Sequence, residues 1–166
     1  MLQLPILLII VHSRTGGSQA MADAFGEGAR CEDAVQVAIR QAAACEPHEI
    51  REAAALAFAG PENLGSLSGQ MKELLDRCYY PLFHCMQGKR YAHLICAGSD
   101  GQGAARQLAR ILTGWRMVPV AEPLLVCTGA QTREAIEAPK LLSGADLRRC
   151  FDLGQLLAAG LAIGIF

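Results

Sequence analysis

Five short apolar runs alternate with segments of helical character, and this alternation restricts the fold more than any other feature of the chain. The runs cover residues 4–11, 34–39, 53–59, 91–97 and 117–127, the third ending at Gly60-Pro61 and the last broken by Pro119 and Pro123. Residues 18–30, 68–86, 103–113 and 143–161 read as helices, and 47–52 as one helical turn. Ser68 and Ser143 stand where N-caps are needed, Gly114 stands where a helix can stop, and Pro81 should end or kink its helix. Strands that are apolar throughout, rather than at alternate positions, are covered on both faces. Strand and helix in alternation give a parallel sheet between two helical layers. The expected fold is therefore α/β, a three-layer sandwich around a five-stranded parallel sheet of order 2-1-3-4-5. The 166 residues suit a single domain, 1–166.

In such a sheet, ligands bind beyond the carboxyl ends of the strands, beside the switch point between strands 1 and 3. Three loops fall there: residues 12–18, 60–68 and 98–103. They are the loops richest in Gly and polar residues. The first, HSRTGGS, joins a strand to a helix. Free N–H groups of a first helical turn, with the helix dipole behind them, favour an anion. Gly16 and Gly17 allow close backbone approach, and Ser13, Thr15 and Ser18 offer hydroxyls. With no Lys and no GxGxxG spacing, the loop is neither a nucleoside-triphosphate nor a dinucleotide cradle. Hydroxyls and amides beside Arg14 suit a buried phosphate monoester. A tight turn that binds nothing is the plainer alternative, and the convergence of the three loops argues against it.

Charge and cysteine content narrow the functional class. A net charge of −1 provides no basic face for nucleic acid and no strongly acidic docking surface. Seven scattered Cys, with no CxxC pair and no metal-like spacing with His, read as reduced thiols of a cytoplasmic protein and leave no metal site. The apolar start lacks a basic leader and a small-residue cleavage site, and it reads as a buried strand. The apolar tail, 153–166, is too short to span a bilayer.

The segments HSRTGGS, GPENLGSLSGQMKELLDR and AGSDGQG together resemble the flavodoxin-like superfamily. Within it the chain is most similar to NAD(P)H-dependent FMN reductases and to NAD(P)H:quinone oxidoreductases of the tryptophan-repressor-binding-protein type. The similarity covers essentially the whole chain, and SGQMKELLDR is its most specific part. The resemblance implies an FMN phosphate held by Ser13, Arg14, Thr15, Gly16, Gly17 and Ser18. It implies Pro61, Glu62, Asn63, Leu64 and Gly65 beside the isoalloxazine ring, and Gly98, Ser99, Asp100 and Gly101 over its other side. Relatives often carry an aromatic residue where Leu64 stands, so FMN is expected to bind more weakly here. No catalytic side chain is implied, because the flavin performs the redox chemistry with NAD(P)H as co-substrate. A backbone N–H near Asn63 to Gly65 would hydrogen-bond the ring. Glu62 and Asp100 could shape a substrate mouth, although the plainer reading of each is a solvated loop carboxylate.

Other motifs carry less. Cys127 and Arg133 share the CxxxxxR spacing of a tyrosine-phosphatase loop, but they follow the last strand, at the sheet edge. Cys45 and Arg51 have the same spacing with no Gly between, which shows how cheaply it arises. His12 adjoins the first loop and reads as structural, and Trp115 reads as packing. Three functions remain: an enzyme passing electrons from NAD(P)H through FMN to a quinone or other small acceptor, a flavodoxin-type electron carrier, or a cofactor-free binding domain. The apolar tail and the helix at 68–86 further imply a homodimer or homotetramer.

Overall fold

The computed structural model describes residues 4–166; residues 1–3 of the apolar start lie outside the described part. The elements follow in the order β1 (Ile6–Val11), α1 (Gly17–Ala29), β2 (Gln36–Gln41), α2 (Pro47–Glu52), β3 (Ala55–Asn63), β4 (Ser66–Leu67), α3 (Gly69–Leu82), β5 (Arg90–Ala97), α4 (Gln102–Gly114), β6 (Val118–Pro119), β7 (Leu124–Cys127), α5 (Arg133–Glu137) and α6 (Gly144–Ala162). The sheet runs β2-β1-β3-β5, and β6 and β7 both pair with β5 along its far edge. These pairings are all parallel. The expected 2-1-3-4-5 order is thus present, with its fifth strand in two pieces. Pro123 lies in the gap between them, where a residue without an N–H cannot extend the ladder.

Strand 3 departs from its expected end. It continues through Gly60-Pro61, keeps parallel register as far as Pro61 opposite Cys96, then turns back to pair with β4 antiparallel. The turn residues Leu64 and Gly65 both have positive φ, 52° and 72°, as a two-residue type I′ hairpin requires. Pro81 is tolerated in the last turn of α3, which closes at Leu82 rather than at residue 86.

Each sheet face builds its own core. Leu8, Ile10, Leu56, Phe58, Tyr91 and Ile95 meet α2, α3 and α4. Leu7, Ile9, Val11, Ala55, Ala57, Ala59 and Leu94 meet α1 and α6. The small side chains of the second face are matched by close helix packing. A Cβ on Gly28 would lie 1.9 Å from the Phe151 carbonyl oxygen, and one on Gly154 would lie 1.9 Å from that of Phe25. The backbones of α1 and α6 therefore touch, which accounts for a core low in aromatics. Among the described residues, no helix is long and apolar enough to cross a membrane.

Among the described residues, the buried side chains of Ser18 and His93 have polar atoms without a partner. His93 lies between Tyr91 and Ile95 on β5, is 2% exposed, and neither ring nitrogen meets a hydrogen-bond partner. The Tyr91 ring lies 5.5 Å away. Burial pushes the His93 pKa down to about 4, so the imidazole is neutral near neutral pH.

Candidate functional site

The carboxyl ends of β1, β3, β5 and β7 open onto one cavity of about 810 Å³. Ser13, Arg14, Thr15, Gly17 and Ser18 line its first wall. Gly16, with φ at +92°, occupies the N-cap of α1 and has no side chain to cap it. Its own N–H donates to Ser13 Oγ at 3.1 Å, while Ala20 N–H closes the first turn onto the Gly16 carbonyl at 2.9 Å. The amides of Gly17, Ser18 and Gln19 belong to that first turn, where no intrahelical acceptor exists. Ser18 lines the cavity, is 2% exposed, and its hydroxyl has no partner. An unpaired buried hydroxyl costs about 1–3 kcal/mol, and an acceptor arriving from the cavity would remove that cost. Gly17 packs closely: a Cβ there would lie 2.5 Å from Cys96 Sγ and 3.3 Å from Lys140 Cβ, so the thiol would have to turn away. These features fit a phosphate at the α1 N-terminus.

His12 is structural, as its position suggests. Its Nδ1 lies 2.7 Å from Ser68 Oγ, joining the end of β1 to the start of α3. Ser68 is the N-cap of α3 by position, but its hydroxyl is spent on His12 rather than on the helix.

The second wall is the β3–β4 hairpin, which contributes Pro61, Glu62, Asn63 and Leu64. Gly65 faces away, against α4; a Cβ on Gly103 would meet its carbonyl oxygen at 1.9 Å. Leu64 is fully exposed at the hairpin tip. Glu62 is not a freely solvated carboxylate. Its two oxygens accept from the amides of Gly101 and Ala104, at 3.0 and 2.9 Å, and so close the N-terminus of α4. Gln107 Oε1 accepts from Leu67 N–H at 2.7 Å and fixes the other hairpin strand to the same helix. Glu62→Ala should destabilise the fold by about 1–3 kcal/mol, as remote capping is lost, and should speed amide exchange in the hairpin. Urea unfolding and hydrogen exchange would measure both, and unchanged values would show the clamp to be idle.

From the third loop, Gly98 lines the cavity, together with Cys96 and Ala97 of β5. Ser99, Asp100 and Gly101 do not line it. Gly101, at φ +81°, is the N-cap of α4, and the Asp100 carbonyl lies 3.5 Å from Cys127 Sγ.

The cavity has a fourth wall, outside the three loops at the strand ends. The segment after β7 does not stay at the sheet edge. It crosses to the first loop, and Lys140 N–H donates to the Thr15 carbonyl at 2.7 Å. Thr128, Ala130, Ile136, Glu137 and Lys140 thereby line the cavity. The only sequence signal for it was Thr132, which caps α5 by accepting from Ala135 N–H at 3.2 Å. The CxxxxxR match forms no anion loop, because Arg133 pairs with Glu137 at 3.2 Å and stands open to solvent.

The model of a family described as NADPH-dependent FMN reductase matches residues 47–132, just over half of the chain. The chain belongs to this family. The matched region holds the hairpin and the third loop of the FMN reductase fold, and the α1 cradle lies before it. A flavodoxin of Aquifex aeolicus (strain VF5) is 30% identical over 105 residues, which cover 62% of this chain and 55% of that protein. The aligned part thus spans little more than half the length of this curated relative. Among solved structures, a flavodoxin from the domain Archaea superposes with a TM-score of 0.75 at 20% identity, covering 95% of this chain and 99% of the other. A flavodoxin described as a WrbA-like protein from Agrobacterium tumefaciens gives 0.75 at 19% identity, covering 95% and 97%. These likenesses establish that this member of the FMN reductase family has the flavodoxin-like fold.

Proposed function

We propose that this chain is a flavin-binding oxidoreductase that holds FMN in the cavity and passes reducing equivalents from NAD(P)H to a quinone or another small acceptor. Residues 1–166 act in this reading as one FMN-binding domain. The observation that carries it is an uncapped helix N-terminus on the wall of a cavity large enough for a flavin nucleotide, with the hydroxyl of the lining residue Ser18 buried and unpaired beside it. Family membership supports the same reading. Bound FMN would supply hydride acceptance and return. The chain's part is to hold and orient it. Ser13, Arg14, Thr15, Gly16, Gly17 and Ser18 form the phosphate end. Pro61, Glu62, Asn63, Leu64 and Gly65 form the ring end, with Glu62 and Gly65 acting through the clamp on α4. Gly98 faces the cavity, while Ser99, Asp100 and Gly101 shape the ring end from behind.

A second reading, a flavodoxin-type carrier, is favoured by the Aquifex flavodoxin match. Against it stands the net charge of −1, since carriers steer onto basic partners with acidic surfaces. The test is NADPH oxidation with FMN and benzoquinone and no other protein. Acceleration above free FMN is the expected result. FMN binding without acceleration would leave the carrier, and absence of binding would leave a cofactor-free binding domain.

The setting we propose is cytoplasmic, consistent with seven free thiols. We further propose a homodimer or homotetramer. Tyr79, Tyr80 and Phe83 form an exposed aromatic cluster on α3, with Tyr80 78% exposed, and Ile163 and Ile165 are exposed on the tail. Phe166 instead folds back and packs beside Arg90. Light scattering should give at least twice the monomer mass, and a monomer at high micromolar concentration would refute the assembly.

A further inference from the structure

The first loop contains no lysine, yet a lysine from far along the sequence lies against it. Lys140 is anchored there by its own N–H on the Thr15 carbonyl. Its Cβ and Cγ would stand 3.3 and 3.6 Å from a Cβ on Gly17, the first residue of α1. Its ammonium does not point to a carboxylate. It donates to the carbonyls of Ala135, Ile136 and Ala138, at 2.7, 2.9 and 2.6 Å, closing the C-terminal end of α5. Burial raises the Cys96 thiol pKa while the Lys140 charge pulls it back, so the cation is felt at the wall beneath the loop. The other half of the arrangement is the Ser18 hydroxyl, buried and unpaired at the head of a 13-residue helix.

We propose that Lys140 is a second counter-cation, beside Arg14, for a phosphate monoester bound at the α1 N-terminus, its ammonium exchanging the α5 carbonyls for phosphate oxygens. The inference rests on the FMN reading above and adds to it a residue outside the three expected loops. Ammonium-to-phosphate hydrogen bonds are charge-assisted and stronger than those to neutral carbonyls. The four-carbon stem of lysine allows the head to swing while the backbone stays fixed. The carbonyls it leaves belong to a helix with no buried residue, so water can replace the ammonium there. Occupancy of the phosphate site would then be coupled to the order of α5.

The test compares FMN with riboflavin, which lacks the phosphate. Titrations use the wild type, Lys140→Gln and Lys140→Arg, with thermal unfolding as a check on folding. Lys140→Gln should weaken FMN about tenfold or more, as one charge-assisted contact is lost, and leave riboflavin unchanged. Lys140→Arg should restore most of the FMN affinity. Equal losses for both ligands, or no loss for FMN, would overturn the proposal and leave Lys140 as a cap of α5. If Lys140→Gln does not fold, the ε-methylene signal of Lys140 in the wild type decides: it should shift with FMN and not with riboflavin, and equal behaviour overturns the proposal. If the wild type binds no FMN, the flavin reading falls separately. Inorganic phosphate is then the probe: thermal protection of the wild type that is lost in Lys140→Gln supports the cation role, and any other pattern overturns it.

Discussion

Gly154→Ala should cost the fold about 3 kcal/mol or more, enough to leave a marginal domain largely unfolded on heating. The added Cβ would sit 1.9 Å from the Phe25 carbonyl oxygen and 2.8 Å from its carbonyl carbon. Both atoms are backbone inside α1, so no side chain can swing away. Either α6 lifts from α1, opening the core around Leu153 and Leu157, or α1 shifts and carries the phosphate cradle with it. Gly28→Ala should act alike through the Phe151 carbonyl, at the same 1.9 Å. Gly144→Ala is the control. It also lies in α6, but a Cβ there meets nothing within 4 Å. That variant should be neutral or stabilised by up to about 1 kcal/mol, since Ala restricts the unfolded chain more than Gly does. Urea midpoints for the three variants measure the contrast, and a Gly154→Ala midpoint equal to that of Gly144→Ala would refute backbone contact between the helices.

Acid should weaken the protein well above the range where carboxylates titrate. The His93 pKa is held near 4 in the fold against 6.5 outside it, because burial disfavours the charged ring. The unfolded chain therefore binds the proton more readily. The neutral-ring state is at full strength above pH 6.5, and stability falls as pH drops from 6.5 towards 4. The whole interval is worth about 3 kcal/mol, at 1.36 kcal/mol per pKa unit. His93→Leu should remove this slope and, by replacing an unpaired polar ring, raise stability at every pH in the window. Unfolding free energies at several pH values between 4 and 7.5 would show it. Parallel curves for wild type and variant would exclude His93 as the source.

The parts of this molecule readable from sequence are those set by local periodicity and loop chemistry. The apolar runs of β1, β3 and β5 were legible because those strands are buried on both faces, whereas β2 at the sheet edge is half-exposed, and alternation with helices pointed to a parallel order. Gly17 marked a close approach that the structure explains by Cys96, and Gly16 marked the left-handed turn at the α1 N-cap. What escaped reading depends on contacts between distant residues. Glu62 looked like a solvent-facing loop acid until α4 brought two amides to it. The loop chemistry of Gly65 and Gly101 gave no sign that one packs against α4 and the other caps it. The wall made by Thr128 to Lys140 had little local signature, because exposed, polar residues there resemble any surface connection. The bonds from Thr128 and Gly129 to Ala97 and Gly98 at one end, and from Lys140 to Thr15 at the other, make them part of the site.

The contact between α1 and α6 also fixes when the site can be finished. The ribosome releases β1, the cradle and α1 first, but the partner that fits Gly28 and receives Phe25 lies in residues 144–162. Until that stretch emerges, the Ala-lined face of the sheet is covered by α1 without α6, even though Lys140, which anchors on Thr15, comes earlier in the chain. Pairing so remote in sequence is slow to form and leaves a sticky intermediate while it waits. A nascent chain stalled short of residue 154 would therefore carry the cradle and the segment that closes onto it, but leave the apolar face beneath them open to chaperones.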